Sequence, residues 1–228
     1  IVYFDALREL ALKNALNQLT TNDINILMKS DRGPTTREEA AKVIAATKTE
    51  ITHKVEWILR EEITGVKTAT FYMTEPGLEY LAGTDNARSY LGYFPRLYEH
   101  ITIKHGGRPP RDSFVNGPGD PITLEALVSV DVASLYAVEV GDIFSIVPYW
   151  SDYVPYANVV VTGLYQRNDP DNEFWYLNDR LFQASTSGNF RTIPFMVSSE
   201  TYFEVLGATF RQMDSTYGRL LLVDPAKL

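Results

Sequence analysis

The chain has 228 residues, a formal net charge of −8, 45% hydrophobic and 22% charged residues, and no cysteine. This composition is ordinary for a folded protein with a sizeable core, the acidic balance disfavours binding to nucleic-acid phosphates, and the lack of thiols excludes disulfides and thiolate zinc sites. No run reaches the roughly 20 apolar residues that span a bilayer, and no signal peptide is visible.

The first four residues, IVYF, are apolar on every side, and Leu12, Leu16 and Leu19 follow at helical spacing. This pattern predicts a helix with an unusually hydrophobic first turn. Two interpretations stay open: the last turn of a membrane helix that continues out of the bilayer, or an ordinary core helix. Because the chain begins at Ile1 rather than methionine, we expect a fragment of a longer protein that carries membrane helices and an export signal.

A strand, a helix and a second strand are predicted next. Residues 23–30 alternate as in a strand, and Thr35 or Thr36 is expected to cap a helix with Glu38 or Glu39 completing a capping box. The helix is predicted to end near residue 63 at Gly65, and residues 66–73 to form a strand, which makes a βαβ-like unit. The apolar face of this helix comprises Ala40, Ile44, Ile51, Val55 and Ile58.

The rest of the chain alternates short elements with polar loops, and residues 75–97 show no sustained period. Ser198 or Ser199 is expected to cap a helix that runs to Gly207. Strands are predicted at 101–104, 124–129, 143–147, 158–165 and 219–223, and a short helix at 131–136.

These elements predict an α+β fold with two lobes. The long helix needs a sheet to cover its apolar face, and two strands make a marginal sheet. We therefore expect residues 219–223 to pair with the N-terminal unit. Residues 1–79 and 196–228 would then form a βαβ-type, porter-like lobe near a membrane, and residues 80–195 an inserted, mostly β lobe.

Candidate metal ligands are few. His53 is expected on the polar helix face, whereas His100 and His105 flank one strand on opposite faces, so the three do not converge as a zinc site requires.

The acidic loop at residues 168–173 offers Asp169, Asp171, Asn172 and Glu173. It lacks the glycine and terminal glutamate of an EF-hand, so a polar hairpin turn is the favoured interpretation over calcium binding. No nucleophile elbow or phosphate loop occurs in the sequence. We therefore predict no catalytic, cofactor-binding or metal-binding residues.

Two aromatic clusters bracket the strand predicted at 158–165, and they have two interpretations. They could form a platform for a sugar, lipid or protein, or they could pack beneath long loops; we favour packing. The clusters are Tyr149, Trp150, Tyr153 and Tyr156, and Phe174, Trp175 and Tyr176.

Three segments from the second half of the chain resemble the extracytoplasmic core domain of MacB/FtsX-type ABC-transporter permeases. They are ITIKHGGRPPRDS, LEALVSVDVASLYAVEVGDIFSI and VVVTGLYQRNDPDNEFW, in the order in which that family has them. The matching residues are Gly107, Arg108, Pro109, Pro110, Ala133, Val140, Gly141, Asp142, Gly163, Asp169 and Trp175. Gly141 is expected to adopt a positive φ, and Asp142 to bond the backbone of the same turn.

The resemblance implies a non-catalytic domain on the outer face of a bacterial cell membrane. It would couple ATP hydrolysis by a cytoplasmic ATPase subunit to substrate efflux, lipoprotein extraction or mechanical signalling, and it would move against a dimer mate. A lipid, peptide or protein substrate is implied, and no nucleic acid. The alternative is a secreted or surface ligand-binding module that uses the aromatic clusters.

Overall fold

Eleven strands and three α-helices longer than one turn are present in the computed structural model, which describes residues 24–84, 86–106, 110, 114–115, 121–150, 156–183 and 190–227. The strands are β1 (Ile26–Gly33), β2 (Leu59–Thr68), β3 (Phe71–Thr74), β4 (Ala87–Tyr93), β5 (Ile101–Gly106), β6 (Phe114–Val115), β7 (Ile122–Ser129), β8 (Ile143–Pro148), β9 (Ala157–Arg167), β10 (Arg191–Met196) and β11 (Ser215–Val223). The α-helices are α1 (Arg37–Thr47), α2 (Val130–Tyr136) and α3 (Phe174–Leu181). The expected mixture of helices and strands is confirmed.

Six strands close into a ring in the order β4-β10-β7-β9-β8-β3, because β3 pairs with both β8 and β4. β4 and β10 run parallel, as do β7 and β9, and the other neighbours in the ring are antiparallel. Alternate side chains point into the ring and fill it. Leu124, Ala126, Val159 and Phe195 are buried there in the first of two hydrophobic cores.

The sheet extends from the ring through β2, which pairs with β4 at Val66 and Tyr93. β11 lies between β1 and β2 and runs antiparallel to both, so β1 and β2 run parallel to each other. The predicted pairing of residues 219–223 with the N-terminal unit is confirmed: Leu221 pairs with Ile26 on one side and Glu62 on the other. β3 belongs to the ring although it precedes residue 80, and the division into two lobes stays a prediction.

The long helix ends earlier than the sequence indicated. α1 gives way to a π-helical turn at Lys48–Thr52, the short helical turns His53–Val55 and Glu56–Ile58 follow, and β2 begins at Leu59. Gly65 therefore lies inside a strand rather than at a helix end. A Cβ atom at Gly65 would lie 2.6 Å from the Phe94 ring, so the glycine permits close packing across the sheet.

Several elements were missed or misplaced because burial on both faces hides their period. β4 buries both Tyr90 and Leu91, which point to opposite faces of the sheet, so no alternation marks this strand in the sequence. β10 and α3 were missed as well. The predicted strand 66–73 is two strands, since the chain breaks after Thr68 where Ala69 N–H donates to Asp214 O at 2.8 Å.

The positions of two helix starts were predicted correctly. Thr36 is the N-cap of α1, but the predicted capping box does not form, because the Thr36 hydroxyl donates to Glu39 Oε2 at 3.2 Å and does not cap the backbone. Ser198 Oγ accepts from Thr201 N–H at 3.1 Å, ahead of a π-helical turn at Thr201–Leu206 and a last helical turn at Gly207–Thr209.

A second hydrophobic core lies on the other face of the sheet, beneath α3. Trp175 and Leu177 of α3 pack there with Leu220 and Leu222 of β11. None of the helices in the described residues has the length and hydropathy needed to cross a membrane. The helix predicted over the first 19 residues lies outside the described residues.

Candidate functional site: an apolar groove beside helix α1

An apolar groove of about 550 Å³ lies between α1 and the three strands β1, β11 and β2. Ile44 and Ile51, which the sequence placed on a helix face covered by the sheet, are 42% and 44% exposed and line this groove. The expectation of a fully covered helix face was therefore wrong. The apolar walls include Val43, Ile44, Ile51, Tyr93 and Phe203.

Strand register decides which side chains of the sheet face the groove. Tyr217 of β11 pairs with Ser30 and Val66, and Arg219 pairs with Met28 and Thr64. Directly paired residues share a face of a sheet. Tyr217 and Arg219 therefore lie on the groove side, while Leu220 and Leu222 of β11 pack on the opposite side beneath α3.

Arg219 is the buried charge of the groove floor. Its Nη2 forms an ion pair with Glu62, and its side chain is 11% exposed. Nε and Nη1 of Arg219 are buried without a hydrogen-bond partner among the described residues. A buried donor without a partner costs about 1–3 kcal/mol, so these two groups favour any acceptor that enters the groove.

Both π-helical turns of the chain's described part border the groove. Ile51 lies in Lys48–Thr52, and Phe203 lies in Thr201–Leu206. A π-turn carries an additional residue per hydrogen-bonded ring and often occurs at functional sites. Phe203 contacts Tyr93 edge to face, with ring centroids 6.0 Å apart, and both rings line the groove.

The three histidines have separate environments. His53 is exposed and its Nδ1 lies 2.7 Å from Glu56 Oε2, His100 stacks on Phe174 with ring centroids 3.8 Å apart, and His105 is exposed on β5. Across the described part of the chain, no group of three or more His, Asp or Glu side chains is placed to hold a metal ion.

The acidic loop shapes a helix start rather than a hairpin. Asp169 Oδ1 accepts from Asp171 N–H at 3.2 Å, Asn172 Oδ1 accepts from Phe174 N–H at 3.0 Å, and Glu173 forms an ion pair with Arg60. The loop connects β9 to α3, so the predicted hairpin turn was wrong. The loop leads into a helix because the apolar side of α3 packs beneath the sheet.

The aromatic clusters do not form one surface. Trp150 packs on Phe71, with ring centroids 5.2 Å apart, at the first hydrophobic core. Phe174 and Trp175 are buried in the second core. Tyr149 is exposed, and Tyr153 lies outside the described residues. The favoured interpretation, packing, fits these contacts better than a platform.

The turn shared with the permease segments has the predicted conformation. Gly141 has a φ of +100°, and Asp142 Oδ2 accepts from Glu139 N–H at 2.8 Å. This turn connects α2 to β8 of the ring. Gly107, Arg108 and Pro109 lie outside the described residues.

No family model matches this chain. No curated protein matches it either. Among solved structures, it is similar to a domain of a provisionally named permease protein from Porphyromonas gingivalis. The two share 12% identity over 90% of this chain and 77% of that chain, with a TM-score of 0.34.

Sequence reasoning did not find the groove. The helical period correctly placed Ile44 and Ile51 on one face, but the period carries no information on whether a face is covered. The one available signal was Arg219, a charged residue within the apolar strand RLLLV. A charge in such a strand indicates a special environment at that position.

Proposed function

We propose that this chain is the extracytoplasmic domain of an ABC-transporter permease of the MacB/FtsX type. It would transmit motion between membrane helices and a substrate, without catalysis of its own. A cytoplasmic ATPase subunit would supply the energy through the membrane part of the permease. A dimer mate and a lipid, peptide or protein substrate would be its partners outside the membrane.

This proposal rests mainly on one observation: the two ends of the described chain lie side by side in the sheet. β1 and β11 are antiparallel neighbours, and Asn25 Oδ1 accepts a hydrogen bond from Val223 N–H at 3.0 Å. The chain therefore enters and leaves the sheet at one end. A domain held between two membrane helices needs its ends on the same side, and this arrangement meets that requirement.

The permease-like segments also have consistent structural roles. The second segment forms β7, α2 and β8, and the third forms β9 and the start of α3. β7 and β9 are parallel neighbours in the ring, so the residues that carry the resemblance build one continuous part of the fold. Their roles are in the scaffold, as a domain that transmits force requires.

Labelling of single cysteines in the full-length gene product tests this location, with any cysteine outside this chain replaced by serine, since the chain itself has none. Lys54→Cys lies on an exposed helical turn, whereas Ser145→Cys is buried and serves as the matched control. In spheroplasts of cells that make the full-length protein, a membrane-impermeant maleimide is expected to label Lys54→Cys without lysis. It should not label Ser145→Cys before or after lysis.

Two outcomes would overturn the proposal. Labelling of Lys54→Cys only after lysis would place the domain inside the cell. Recovery of the labelled protein from the medium rather than the membrane fraction would favour the secreted binding module. Co-purification of an ATPase subunit with the full-length membrane protein is expected, and its absence under conditions that retain the intact permease would contradict the transporter assignment.

A further inference from the structure

We propose that the groove beside α1 binds a single-chain amphiphile with a carboxylate head, such as a long-chain fatty acid. The acyl chain would lie against Ile44, Ile51 and Phe203, and Arg219 would donate hydrogen bonds to the carboxylate. This inference does not depend on the proposed transporter function, because it rests on the geometry of the groove.

The size and lining of the groove suit an acyl chain. Its volume of about 550 Å³ lies within the range of roughly 300–1,000 Å³ that is typical of small-molecule sites. Such sites are mostly apolar and contain a few directed polar groups. Ile44, Ile51 and Phe203 supply apolar walls, and burial of the methylene groups of an acyl chain against them is favourable.

The charges in the groove select the head group. Arg219 is the cation that strand register turns into the groove, whereas Lys29 pairs with Gly218 and lies on the opposite face of the sheet. Lys29 is paired with Asp31 at 2.9 Å, whereas Arg219 retains two buried donors without a partner among the described residues. A carboxylate can therefore accept charge-assisted hydrogen bonds from Arg219, which an ammonium group cannot do because it has no acceptor.

Binding of the carboxylate leaves the ion pair of Arg219 intact. A guanidinium group has five N–H donors in a fixed fork. Nη2 contacts Glu62, while Nη1 has no hydrogen-bond partner among the described residues and can donate to an oxygen of a second carboxylate. Hydrogen bonds between a guanidinium and a carboxylate are charge-assisted and roughly twice as strong as neutral ones.

The test is titration of the full 228-residue chain with dodecanoate, dodecylamine and dodecanol, each below the concentration at which it forms micelles. Displacement of a fluorescent fatty acid measures binding. We expect saturable 1:1 binding of dodecanoate, at least tenfold weaker binding of dodecanol, and none of dodecylamine. Equal affinity for all three, or no saturable binding of dodecanoate, would overturn the proposal.

Two groove variants and one matched control locate the site. Ile44→Glu and Ile51→Glu each place a carboxylate at a partly exposed position, so both are expected to fold, and each should weaken dodecanoate binding at least tenfold. Leu135→Glu alters an isoleucine-sized side chain that is 59% exposed on α2, outside the groove, and should bind like the parent chain. Parent-like binding by both folded groove variants would overturn the site.

Arg219→Lys tests the head-group contact separately. It keeps the positive charge opposite Glu62 but removes the fork of donors, so binding of dodecanoate should weaken while binding of dodecanol stays the same. An equal loss for both ligands would contradict a directed contact with the carboxylate.

Ile44→Cys, labelled with a photo-crosslinking maleimide, distinguishes other occupants. In the absence of dodecanoate the probe can capture a second copy or another part of the same chain. Dodecanoate is expected to displace any such product. Cross-links to protein that persist at saturating dodecanoate would overturn the proposal and assign the groove to that occupant.

Discussion

Asn25 and Val223 join the beginning of the first strand to the end of the last: Asn25 Oδ1 accepts from Val223 N–H at 3.0 Å. Val223 is buried, so loss of the acceptor leaves a buried donor unpaired. Asn25→Ala is expected to lower the free energy of unfolding by about 1–3 kcal/mol. Asn25→Asp keeps an acceptor oxygen and should lose less. Urea denaturation of the three chains measures the difference, and equal losses would contradict this role of the hydrogen bond.

Leu221 lies in β11, between β1 and β2, and is fully buried. Leu221→Ala is expected to cost about 2–5 kcal/mol, because it leaves a cavity where three strands meet. Leu135→Ala removes the same atoms from an exposed position and should change stability by less than about 0.5 kcal/mol. Chemical denaturation tests both, and similar values for the two variants would contradict the central position of β11.

Ala137 ends α2 with a φ of +53°, in the left-handed region that favours glycine. It is exposed, so its methyl group contributes little to packing. Ala137→Gly is expected to stabilise the protein by a few tenths to about 1 kcal/mol through relief of this strain. A rise in the urea midpoint at unchanged slope would verify it, whereas a lower midpoint would mean that the methyl group packs.

Ionisation of Tyr165 makes the free energy of unfolding depend on pH in the alkaline range. Burial raises the pKa of Tyr165 to about 12, whereas the unfolded value is about 10. Between these values the native state retains the proton that the unfolded state releases. The stabilising contribution is therefore complete below pH 10 and is lost as the pH rises towards 12, by roughly 1.4 kcal/mol per pH unit.

Tyr165→Phe removes this titration and should make the loss of stability between pH 10 and 12 shallower than in the parent chain. Other buried tyrosines, such as Tyr202, have raised pKa values from burial and contribute in both proteins. Stability measured by denaturant at several pH values gives the two slopes, and identical slopes would contradict the prediction.

The acidic loop is expected to leave thermal stability independent of calcium. Asp169 already accepts a backbone N–H, and Glu173 is paired with Arg60. Melting curves with a chelator and with added calcium should therefore coincide. A rise of several degrees with calcium would show a native-state site, since a ligand that binds only the folded state must raise Tm.

Local patterns in the sequence predicted the elements whose signals are local. The Ser198 cap and the positive φ of Gly141 depend on a few neighbouring residues, and both were found as expected. The pairing of residues 219–223 with the N-terminal unit was also predicted, because one apolar helix face needed more sheet than two strands provide.

Tertiary structure decided what has no local signal. β4 pairs with β2, β3 and β10, and its burial on both faces removed the alternation that would have marked it. The closed ring depends on the pairing of β3 with both β4 and β8, which are far apart from each other in sequence.

The groove shows most clearly which features the sequence determined and which depended on tertiary packing. The helical period by itself determined that Ile44 and Ile51 share a face, since 3.6 residues per turn bring them together. Whether that face meets the sheet or leaves a cavity depends on the spacing between α1 and β11, which only the packed fold establishes. Arg219 faces the groove because it is in register with Met28 and Thr64, and a shift of one residue would have turned it to the other face.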